Sequence, residues 1–414
     1  MAESFIQSLI ADRLGGASFG KDDKIYKFEK IKRAKQAALK ANPNAELIDL
    51  GVGEPDEKAF DIVIETLRQE AGKHENRGYA DNGIAEFKEA AAAYLNNVYG
   101  ITDIDPLNEV IHSIGSKPAL AMLPAAFINP GDVTIMTAPG YPVLGDHTKW
   151  YGGSVYMCPL TKGNGFLPVL EDIPADVRAK AKLMVLNYPN NPTGATATKD
   201  FYKRVIDFAN ENSILIVQDS AYSALTYGND SEKPLAFLSM PGAKDVGIEI
   251  FSLSKAFNMT GWRLAFVAGN KLAVHAYGNV KDNFDSGQFK AIQKAGIAAL
   301  QNPSITVEIK AKYQRRLKRL VQILKTCGFD AAMPGGTFYL YVGIPKGIKD
   351  GVRFASGEEF SQFLIKERLI STVPWDDVEP SVRFSATFEA KGIDDEERIL
   401  KEIEARLSSL HFEF

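Results

Sequence analysis

Lys255 lies in an apolar stretch, FSLSKAFNMTGWRLAF, that spans residues 251–266. Lysine is rarely buried without a partner. When desolvation and nearby cations lower the pKa of its amine, a lysine becomes a nucleophile and a proton carrier at ordinary pH. This setting indicates that Lys255 is not part of a solvated surface; the stretch alone leaves a snorkelling side chain, a loop ion pair or a chemical role open.

Further polar residues stand where apolar runs end or begin. Asn191 is held in a proline-rich turn, Asp219 ends one run with Tyr222 just after it, and Arg263 begins another. A carboxylate in such a place is costly to bury unless it meets a cation or a donor, and a pyridinium nitrogen is one such partner. Each residue alone has an ordinary structural explanation. Their joint order, with Lys255 between Tyr222 and Arg263, indicates one ligand site.

An anion site is predicted beside them. A turn of small residues precedes a helical pattern at 117–127, and the free N–H groups and dipole of a helix N-terminus favour a phosphate. Such turns are usually plain connections, so this turn alone is a weak indication of an anion site. Its residues that could contact an anion are Gly115, Ser116 and Lys117.

Short aliphatic and β-branched runs must position these side chains. They predict buried strands at 109–114, 132–138, 181–188, 213–219, 248–253 and 263–269. Helical patterns, such as 199–212, lie between several of them, which predicts an α/β unit with a mostly parallel sheet. Ligands bind such sheets at the carboxyl ends of the strands.

The two ends of the chain have an α+β pattern. Helices are predicted at 27–40, 304–328 and 394–410, and strands at 337–343 and 381–388. We expect an N-terminal arm and part of a small domain in residues 1–45, a large domain in 46–290, and the rest of the small domain in 291–414.

Composition excludes several classes of protein. The 414 residues are 45% hydrophobic with a formal net charge of −4, so no broad basic field for nucleic acid is expected. The two cysteines have no disulfide or metal spacing, and no apolar run approaches a membrane span. A soluble cytoplasmic protein without a metal is expected. No GxGxxG follows the first strand, which disfavours a nucleotide-binding dehydrogenase.

The ordered set resembles the class I and II aminotransferases, which have fold type I and use pyridoxal 5′-phosphate. The resemblance implies a mostly parallel seven-stranded sheet in a large domain, with a smaller α+β domain. It implies that Asn191 and Tyr222 bind the phenolic oxygen of the cofactor, Asp219 its ring nitrogen, and Lys255 its aldehyde carbon covalently. The implied phosphate contacts are Arg263, Ser252, Ser254, Ser116 and the backbone around Gly115, with Lys117 beside them.

The same resemblance implies substrate contacts and a shared site. Tyr141 matches a residue that stacks on the cofactor ring, and Arg383 matches the arginine that binds the substrate α-carboxylate. Gly53 lies where the backbone approaches the substrate. Tyr79 matches a tyrosine that reaches the phosphate of the neighbouring subunit, which implies a homodimer with shared active sites.

Within that family, the segments LGGASFGKDDKIYKFEKIKRAK, NYPNNPTGA, DSAY and SLSKAFNMTGWRLAF resemble the LL-diaminopimelate aminotransferases. This implies transamination of LL-2,6-diaminopimelate with 2-oxoglutarate, in the synthesis of lysine and peptidoglycan precursors. Tyr26 and Lys117 match residues of the substrate pocket, which Tyr141 and Asn191 also border.

The segment after Tyr79 departs from that group. Its loop, YADNGIAEF, is short, and only Asp81 or Asn82 could accept the distal ammonium group of the substrate. Asn283 is the candidate for an asparagine that the family supplies from the other subunit. These differences affect the identity of the substrate and leave the chemistry unchanged.

Other functions remain open at this point. Another class I or II aminotransferase, acting on aspartate, alanine or an aromatic amino acid, would carry the same cofactor residues, as would a β-lyase. A non-catalytic cofactor sensor or a regulator's effector domain is a further class. The roughly 45 residues before LGVGEP leave no room for the winged helix-turn-helix domain of such a regulator.

Overall fold

The computed structural model describes residues 5–21, 27–228 and 233–414. The strands of these residues are β1 (Ile48–Asp49), β2 (Val110–Ser113), β3 (Val133–Ala138), β4 (Ser154–Pro159), β5 (Ala181–Asn187), β6 (Leu215–Ser220), β7 (Gly247–Ser252), β8 (Ala265–Gly269), β9 (Tyr339–Gly343), β10 (Gly347–Ile348), β11 (Ile370–Ser371), β12 (Val373–Trp375), β13 (Ser381–Ser385) and β14 (Phe412–Glu413).

The α-helices of the same residues alternate with the first eight strands and then predominate. They are α1 (Lys27–Ala41), α2 (Asp61–Ala71), α3 (Ala85–Tyr94), α4 (Ser116–Phe127), α5 (Val143–Trp150), α6 (Ala175–Lys180), α7 (Lys199–Asn212), α8 (Ala243–Val246), α9 (Leu253–Ala256), α10 (Lys271–Lys281), α11 (Lys290–Leu300), α12 (Ser304–Thr326), α13 (Gly357–Arg368) and α14 (Ile393–Ser408).

A seven-stranded sheet in the order β2-β8-β7-β6-β5-β3-β4 forms the centre of the molecule. Strand β8 runs antiparallel to both of its neighbours, and the remaining pairs are parallel. The mostly parallel sheet predicted from the sequence is confirmed. The strand at the β4 edge was missed. It is an edge strand whose side chains are, except for Cys158, partly or fully exposed, so it lacks the Val-, Ile- and Leu-rich run of a strand buried on both faces.

Successive residues of each strand face opposite sides of this sheet, as the pleat requires. Leu183 and Val185 of β5 pack with apolar residues of α4, α5 and α10. Met184 and Leu186 face the other side, in the larger core that includes α3, α7 and α11. Because helices cover both faces, the inner strands are mostly apolar, and this pattern allowed the sequence to predict them.

Helix α7 shows how local sequence sets an element. Thr198 caps its N-terminus by accepting a 3.1 Å hydrogen bond from the backbone N–H of Phe201. Its apolar residues recur with helical spacing and are buried, as at Val205 and Ala209. Ser213 ends the helix in the left-handed conformation. The observed bounds, Lys199–Asn212, agree with the predicted range of 199–212.

The direction of β8 places its first residues beside the ends of its neighbours. Ser252, the last residue of β7, pairs with Ala265, the first residue of β8. Arg263 precedes β8, so it lies at the edge where the parallel strands β5, β6 and β7 end. This explains how a residue at the start of a strand can share a site with residues at the ends of others.

The C-terminal residues form a three-stranded antiparallel sheet in the order β12-β13-β9. The predicted strands at 337–343 and 381–388 correspond to β9 and β13. β1 pairs in parallel with β11, and α1 packs against α13, so segments near the two ends of the chain contact each other. In the described part of the chain, no helix combines the length and apolarity needed to cross a membrane.

A buried group of charges joins α12 and α14 to the segment after β1. Arg316 donates to Glu396 at 2.8 Å and lies 3.1 Å from Asp56, and all three side chains are nearly inaccessible to solvent. Lys312 and Tyr313 also contact Asp56. The segment that carries Gly53 is thereby fixed between the two sheets.

Candidate active site

A cavity of about 330 Å³ lies at the edge where β5, β6 and β7 end. Most of the site residues that the sequence predicts line it. They are Gly53, Ser116, Lys117, Tyr141, Asn191, Asp219, Tyr222, Ser252, Ser254, Lys255, Arg263 and Arg383. The strand-end positions in the sequence thus converge on one cavity.

Lys255 is held by the first turn of α9, directly after β7. Its Nζ atom donates a 2.7 Å hydrogen bond to the carbonyl oxygen of Gly53. Desolvation lowers the pKa of this amine to about 8, Glu54 opposes the shift, and Arg263 and Arg383 add to it. The unprotonated amine, which is the nucleophilic form, is therefore accessible near neutral pH.

Asp219 on β6 is 5% exposed, and its Oδ1 atom has no hydrogen-bond partner. Burial raises the pKa of this carboxyl to about 7, against the backbone N–H of Ala221, which lowers it. A buried acceptor without a partner that faces a cavity is a place for a cationic or N–H group of a ligand.

Arg263 borders the cavity next to the turn before α4. The backbone of Arg263 has a φ of +57°, and Nη1 donates to the carbonyl of Thr260 at 2.9 Å. Gly115 has a φ of +87°, and a β-carbon there would overlap the guanidinium. Ser252 and Ser254, both buried, line the same side. Guanidinium, hydroxyl groups and a helix N-terminus together form a site for a phosphate dianion.

Arg383 on β13 reaches the cavity from the three-stranded sheet. Nη1 donates to Oδ1 of Asn191 at 2.8 Å, and Nη2 donates to the carbonyl of Gly51 at 3.1 Å. The guanidinium stacks 3.9 Å from the centre of the Tyr339 ring, and its Nε atom is buried without a partner. These contacts fix the side chain, and its Nε–H group remains able to donate to a ligand.

Sequence reasoning missed several residues of the cavity. Tyr339 on β9 contacts two of the predicted residues. Its ring packs against the guanidinium of Arg383, and its hydroxyl oxygen is 2.9 Å from that of Tyr222. Asn187 accepts from the backbone N–H of Asn191 and donates to the carbonyl of Asp219, so it joins the ends of β5 and β6. Its place at the end of an apolar run was a signal that could have identified it.

Some predicted residues lie elsewhere. Tyr26 lies outside the described residues. Tyr79 is 82% exposed and does not line the cavity of its own chain. Asn82 donates to Asp282, and its Oδ1 atom is buried. Asn283 bonds to the carbonyl of Asn279 on an exposed face of α10.

The residues present fit pyridoxal phosphate. The partnerless Oδ1 of Asp219 matches the protonated ring nitrogen, and the donors around Arg263 match the phosphate. The amine of Lys255 faces the same cavity and can bind the aldehyde carbon. A cavity lined by phosphate donors, an unpaired acceptor and an amine suits a ligand that carries a phosphate, a cationic N–H group and an aldehyde.

Comparison with known proteins agrees with this geometry. Residues 45–395 match the model of the family "Aminotransferase class I and II". Proteins named LL-diaminopimelate aminotransferase from Methanococcus maripaludis and Methanocaldococcus jannaschii are 61% and 60% identical to the chain, and each match covers 100% of both sequences.

A solved structure of substrate-bound BacF from Bacillus subtilis superposes with a TM-score of 0.84 at 34% identity, covering 94% of this chain and 97% of that one. The family match extends over Asp219 on β6, Lys255 on α9 and Arg383 on β13. The chain therefore belongs to the class I and II aminotransferases, the enzymes that move amino groups with pyridoxal phosphate.

Proposed function

We propose that this enzyme transfers the amino group of LL-2,6-diaminopimelate to 2-oxoglutarate. The observation that carries the proposal is the full-length likeness, at about 60% identity, to two proteins named for that activity. The cavity supports it, because Lys255, Asp219 and Arg383 face one space from three different segments. The product after cyclisation would be tetrahydrodipicolinate, with glutamate as the second product.

The reaction requires a proton to leave the α-carbon of the amino donor. Pyridoxal phosphate supplies an aldehyde for the amino group and a ring that withdraws electrons from the α-carbon. Lys255, whose amine has a lowered pKa, can accept that proton at Nζ and deliver it to the carbon that the aldehyde contributes, which moves the proton from one carbon to the other. Its hydrogen bond to Gly53 defines the direction from which the amine approaches.

The other residues bind and orient. Asp219 keeps a proton on the ring nitrogen, since the buried carboxylate requires a cationic or N–H partner. Asn191 and Tyr222, which both line the cavity, would bind the phenolic oxygen, and Tyr141 would stack on the ring face. Arg383 binds the α-carboxylate with its planar donor group, for which lysine is a poor substitute.

The distal end of the substrate carries both a carboxylate and an ammonium group. Lys117 is exposed at the cavity and can meet the carboxylate as a point charge. For the ammonium group, the structure favours Asp81 over Asn82. The Asn82 acceptor is buried, while Asp81 is exposed.

We further infer a homodimer. Tyr79, Phe284 and Phe289 are exposed, and the loop of Tyr79 packs against the segment of Phe284, since Gly287 adjoins the backbone of Asp81. An exposed aromatic patch of this kind marks a protein interface. A second copy covering it would bring Tyr79 to the neighbouring phosphate. We also propose a cytoplasmic location and domain junctions near residues 45 and 290.

The amino-donor profile tests the proposal. Purified enzyme with pyridoxal phosphate and 2-oxoglutarate is given LL-diaminopimelate, aspartate, alanine or tyrosine, and glutamate formation is measured. We expect LL-diaminopimelate to give the highest kcat/KM. Turnover of aspartate with none of diaminopimelate would contradict the proposal and favour another member of the family, and release of pyruvate and ammonia would indicate a β-lyase.

A further inference from the structure

Arg263 adopts a backbone conformation that arginine seldom occupies. Its φ of +57° lies in the left-handed region, which carries an energetic cost for residues other than glycine. In this conformation the guanidinium packs against Gly115 and borders the cavity. Surrounding contacts must therefore hold the backbone of Arg263 in place.

Gln288 supplies contacts of that kind. Its Nε2 atom donates to the carbonyl oxygens of both Trp262 and Arg263, each at 2.8 Å. The carbonyl carbons of Trp262 and Arg263 are the two end atoms of the torsion that defines the φ of Arg263, so a donor bonded to both oxygens restrains that torsion. Because carbonyl oxygens only accept hydrogen bonds, the amide nitrogen of Gln288 must face them, and its Oε1 atom must face the other way.

That other side is occupied by His112. The ring lies on β2 and is inaccessible to solvent, and its Nε2 atom is 3.0 Å from Oε1 of Gln288. Since Oε1 only accepts, His112 must carry its proton on Nε2 and leave Nδ1 unprotonated. Burial lowers the pKa of this imidazole to about 4, so the neutral ring persists above that pH.

The segment that carries Gln288 is itself fixed. Gln293 donates to the carbonyl of Gln288 at 2.9 Å, and its own Oε1 accepts from the backbone N–H of Ile84. Asp285 accepts from the buried Lys281 and from the N–H of Gly287. The donor that contacts the Arg263 backbone thus stands on a segment with little freedom to move.

We propose that Gln288, oriented by His112, is a positioning residue that holds Arg263 in its left-handed conformation and so directs the guanidinium to the phosphate of the ligand. This proposal rests on the proposed function in one respect, the role of Arg263 as a phosphate contact. Neither Gln288 nor His112 lines the cavity, so each acts through the backbone of another residue.

The test measures binding by the cofactor-free protein. Dissociation constants are determined for pyridoxal phosphate and for pyridoxal, which lacks the phosphate, in wild type, Gln288→Met and Gln288→Glu. Methionine removes the donor at similar volume, and glutamate presents an acceptor to two carbonyls. We expect the dissociation constant of each variant for pyridoxal phosphate to rise about tenfold or more, because a charged hydrogen bond to the phosphate is lost. The dissociation constant for pyridoxal should stay within about twofold of the wild-type value.

The outcomes separate the two proposals. If wild type itself binds both ligands equally, the phosphate role of Arg263 fails. If wild type prefers pyridoxal phosphate and the Gln288 variants keep that preference in full, the positioning role fails alone. In an Arg263→Ala background the Gln288→Met change should have no further effect on the preference, because its action passes through Arg263.

A second measurement does not depend on the folding of a Gln288 variant. The ¹⁵N shifts of His112 in wild type, assigned by comparison with His112→Phe, should show the Nε2–H tautomer from about pH 5 upward. A proton on Nδ1 would overturn the orientation inferred for Gln288. His112→Phe, which keeps a ring against Phe87, should also lose part of the preference for pyridoxal phosphate.

Discussion

The guanidinium of Arg383 donates a 2.8 Å hydrogen bond from Nη1 to Oδ1 of Asn191. This contact joins the three-stranded sheet to the turn that follows β5, across the cavity that both residues line. With Gly51 and Tyr339 also in contact, the arginine is oriented before any substrate arrives. Such preorganisation avoids the cost of ordering a long side chain on binding.

Arg383→Lys should therefore reduce kcat/KM on the order of 10²-fold, because an ammonium group cannot form the planar pair with a carboxylate. Steady-state kinetics with LL-diaminopimelate and with 2-oxoglutarate would measure the change, and both substrates should be affected. Arg353→Lys is the matched control, since Arg353 forms an exposed pair with Glu413. Equal kinetics for the two variants would contradict the assigned role.

Lys255 should be labelled by amine reagents at lower pH than surface lysines. Burial lowers the pKa of its amine to about 8, whereas the hydrogen bond from Lys203 to Asp207 raises the pKa of Lys203 above 10.5. The labelling rate of Lys255 in cofactor-free protein should rise with a midpoint near pH 8, and that of Lys203 at a higher pH. Peptide mass spectrometry resolves the two sites, and parallel pH profiles would contradict the prediction.

The proposed role of the same lysine predicts the effect of its removal on turnover. Lys255→Ala should reduce transamination by on the order of 10³-fold or more, because both the nucleophilic amine and the proton carrier are removed. Lys203→Ala, on the exposed face of α7, should retain the activity of the wild type. A Lys255→Ala enzyme with undiminished turnover would refute the proposed mechanism.

The ionised carboxylate of Asp219 should lower the free energy of unfolding of the cofactor-free protein. Burial raises the pKa of the carboxyl in the folded state to about 7, from an ordinary value of 3.8. Stability from this group is thus fully present below about pH 4 and is lost as the pH rises through 7. Asp219→Asn should raise the free energy of unfolding at pH 8 by roughly 1–3 kcal/mol and change it little at pH 4.

Activity should change in the opposite direction. Without the carboxylate to keep the ring nitrogen protonated, Asp219→Asn should lose on the order of 10²-fold or more in kcat. Glu249→Gln is the matched control, because Glu249 is equally buried on the adjacent strand and bonds to Ser220 and Leu238 outside the cavity. If cofactor-free Asp219→Asn protein melted at a lower temperature than wild type at pH 8, the buried carboxylate would not be destabilising as described.

The sequence was most informative where apolar strands end in polar residues. Asp219 and Lys255 stand at the ends of apolar runs. Strands buried on both faces of a sheet have such runs, and ligands bind where parallel strands end, so the convergence of the two residues could be predicted. Tyr339 could not be found in this way, because an aromatic residue within TFYLYVG reads as core, and only the fold brings it to Tyr222.

The contacts of Arg263 show a second limit. Its left-handed backbone and the support from Gln288 depend on the antiparallel direction of β8 and on a segment 25 residues farther along the chain. Neither the periodicity of the sequence nor any short motif encodes such a contact. The ion cluster around Arg316 could not be predicted either, because it joins segments that are far apart in the sequence. The pattern of the amphipathic helix α12 does not show which of its arginines is buried.

That cluster should contribute to stability out of proportion to surface pairs. Arg316→Met leaves Asp56 and Glu396 buried without their shared partner, and we expect a loss of about 3–5 kcal/mol in the free energy of unfolding. Denaturant titration measures this loss. Arg353→Met, which breaks an exposed pair, should change stability little. Similar effects of the two changes would indicate that Arg316 is not paired as described.

Mixed dimers test whether Tyr79 acts in the neighbouring site. Tyr79→Phe removes the hydroxyl that would contact the partner's phosphate, and it should weaken cofactor binding about tenfold. Lys255→Ala alone should be inactive. In a dimer of one Tyr79→Phe chain and one Lys255→Ala chain, the site of the first chain has its own Lys255 and receives an intact Tyr79 from the second.

At limiting cofactor, equal mixing should then restore about a quarter of the wild-type activity, since half of the dimers are mixed and each has one intact site. If Tyr79 served its own chain, no mixed dimer would contain an intact site, and the activity would not exceed that of the Tyr79→Phe protein. The 82% exposure of Tyr79 in the single chain favours the first result, because a side chain so exposed cannot reach the cavity beside Lys255 of its own chain. Recovery of activity on mixing would therefore identify both the dimer and the direction in which the tyrosine points.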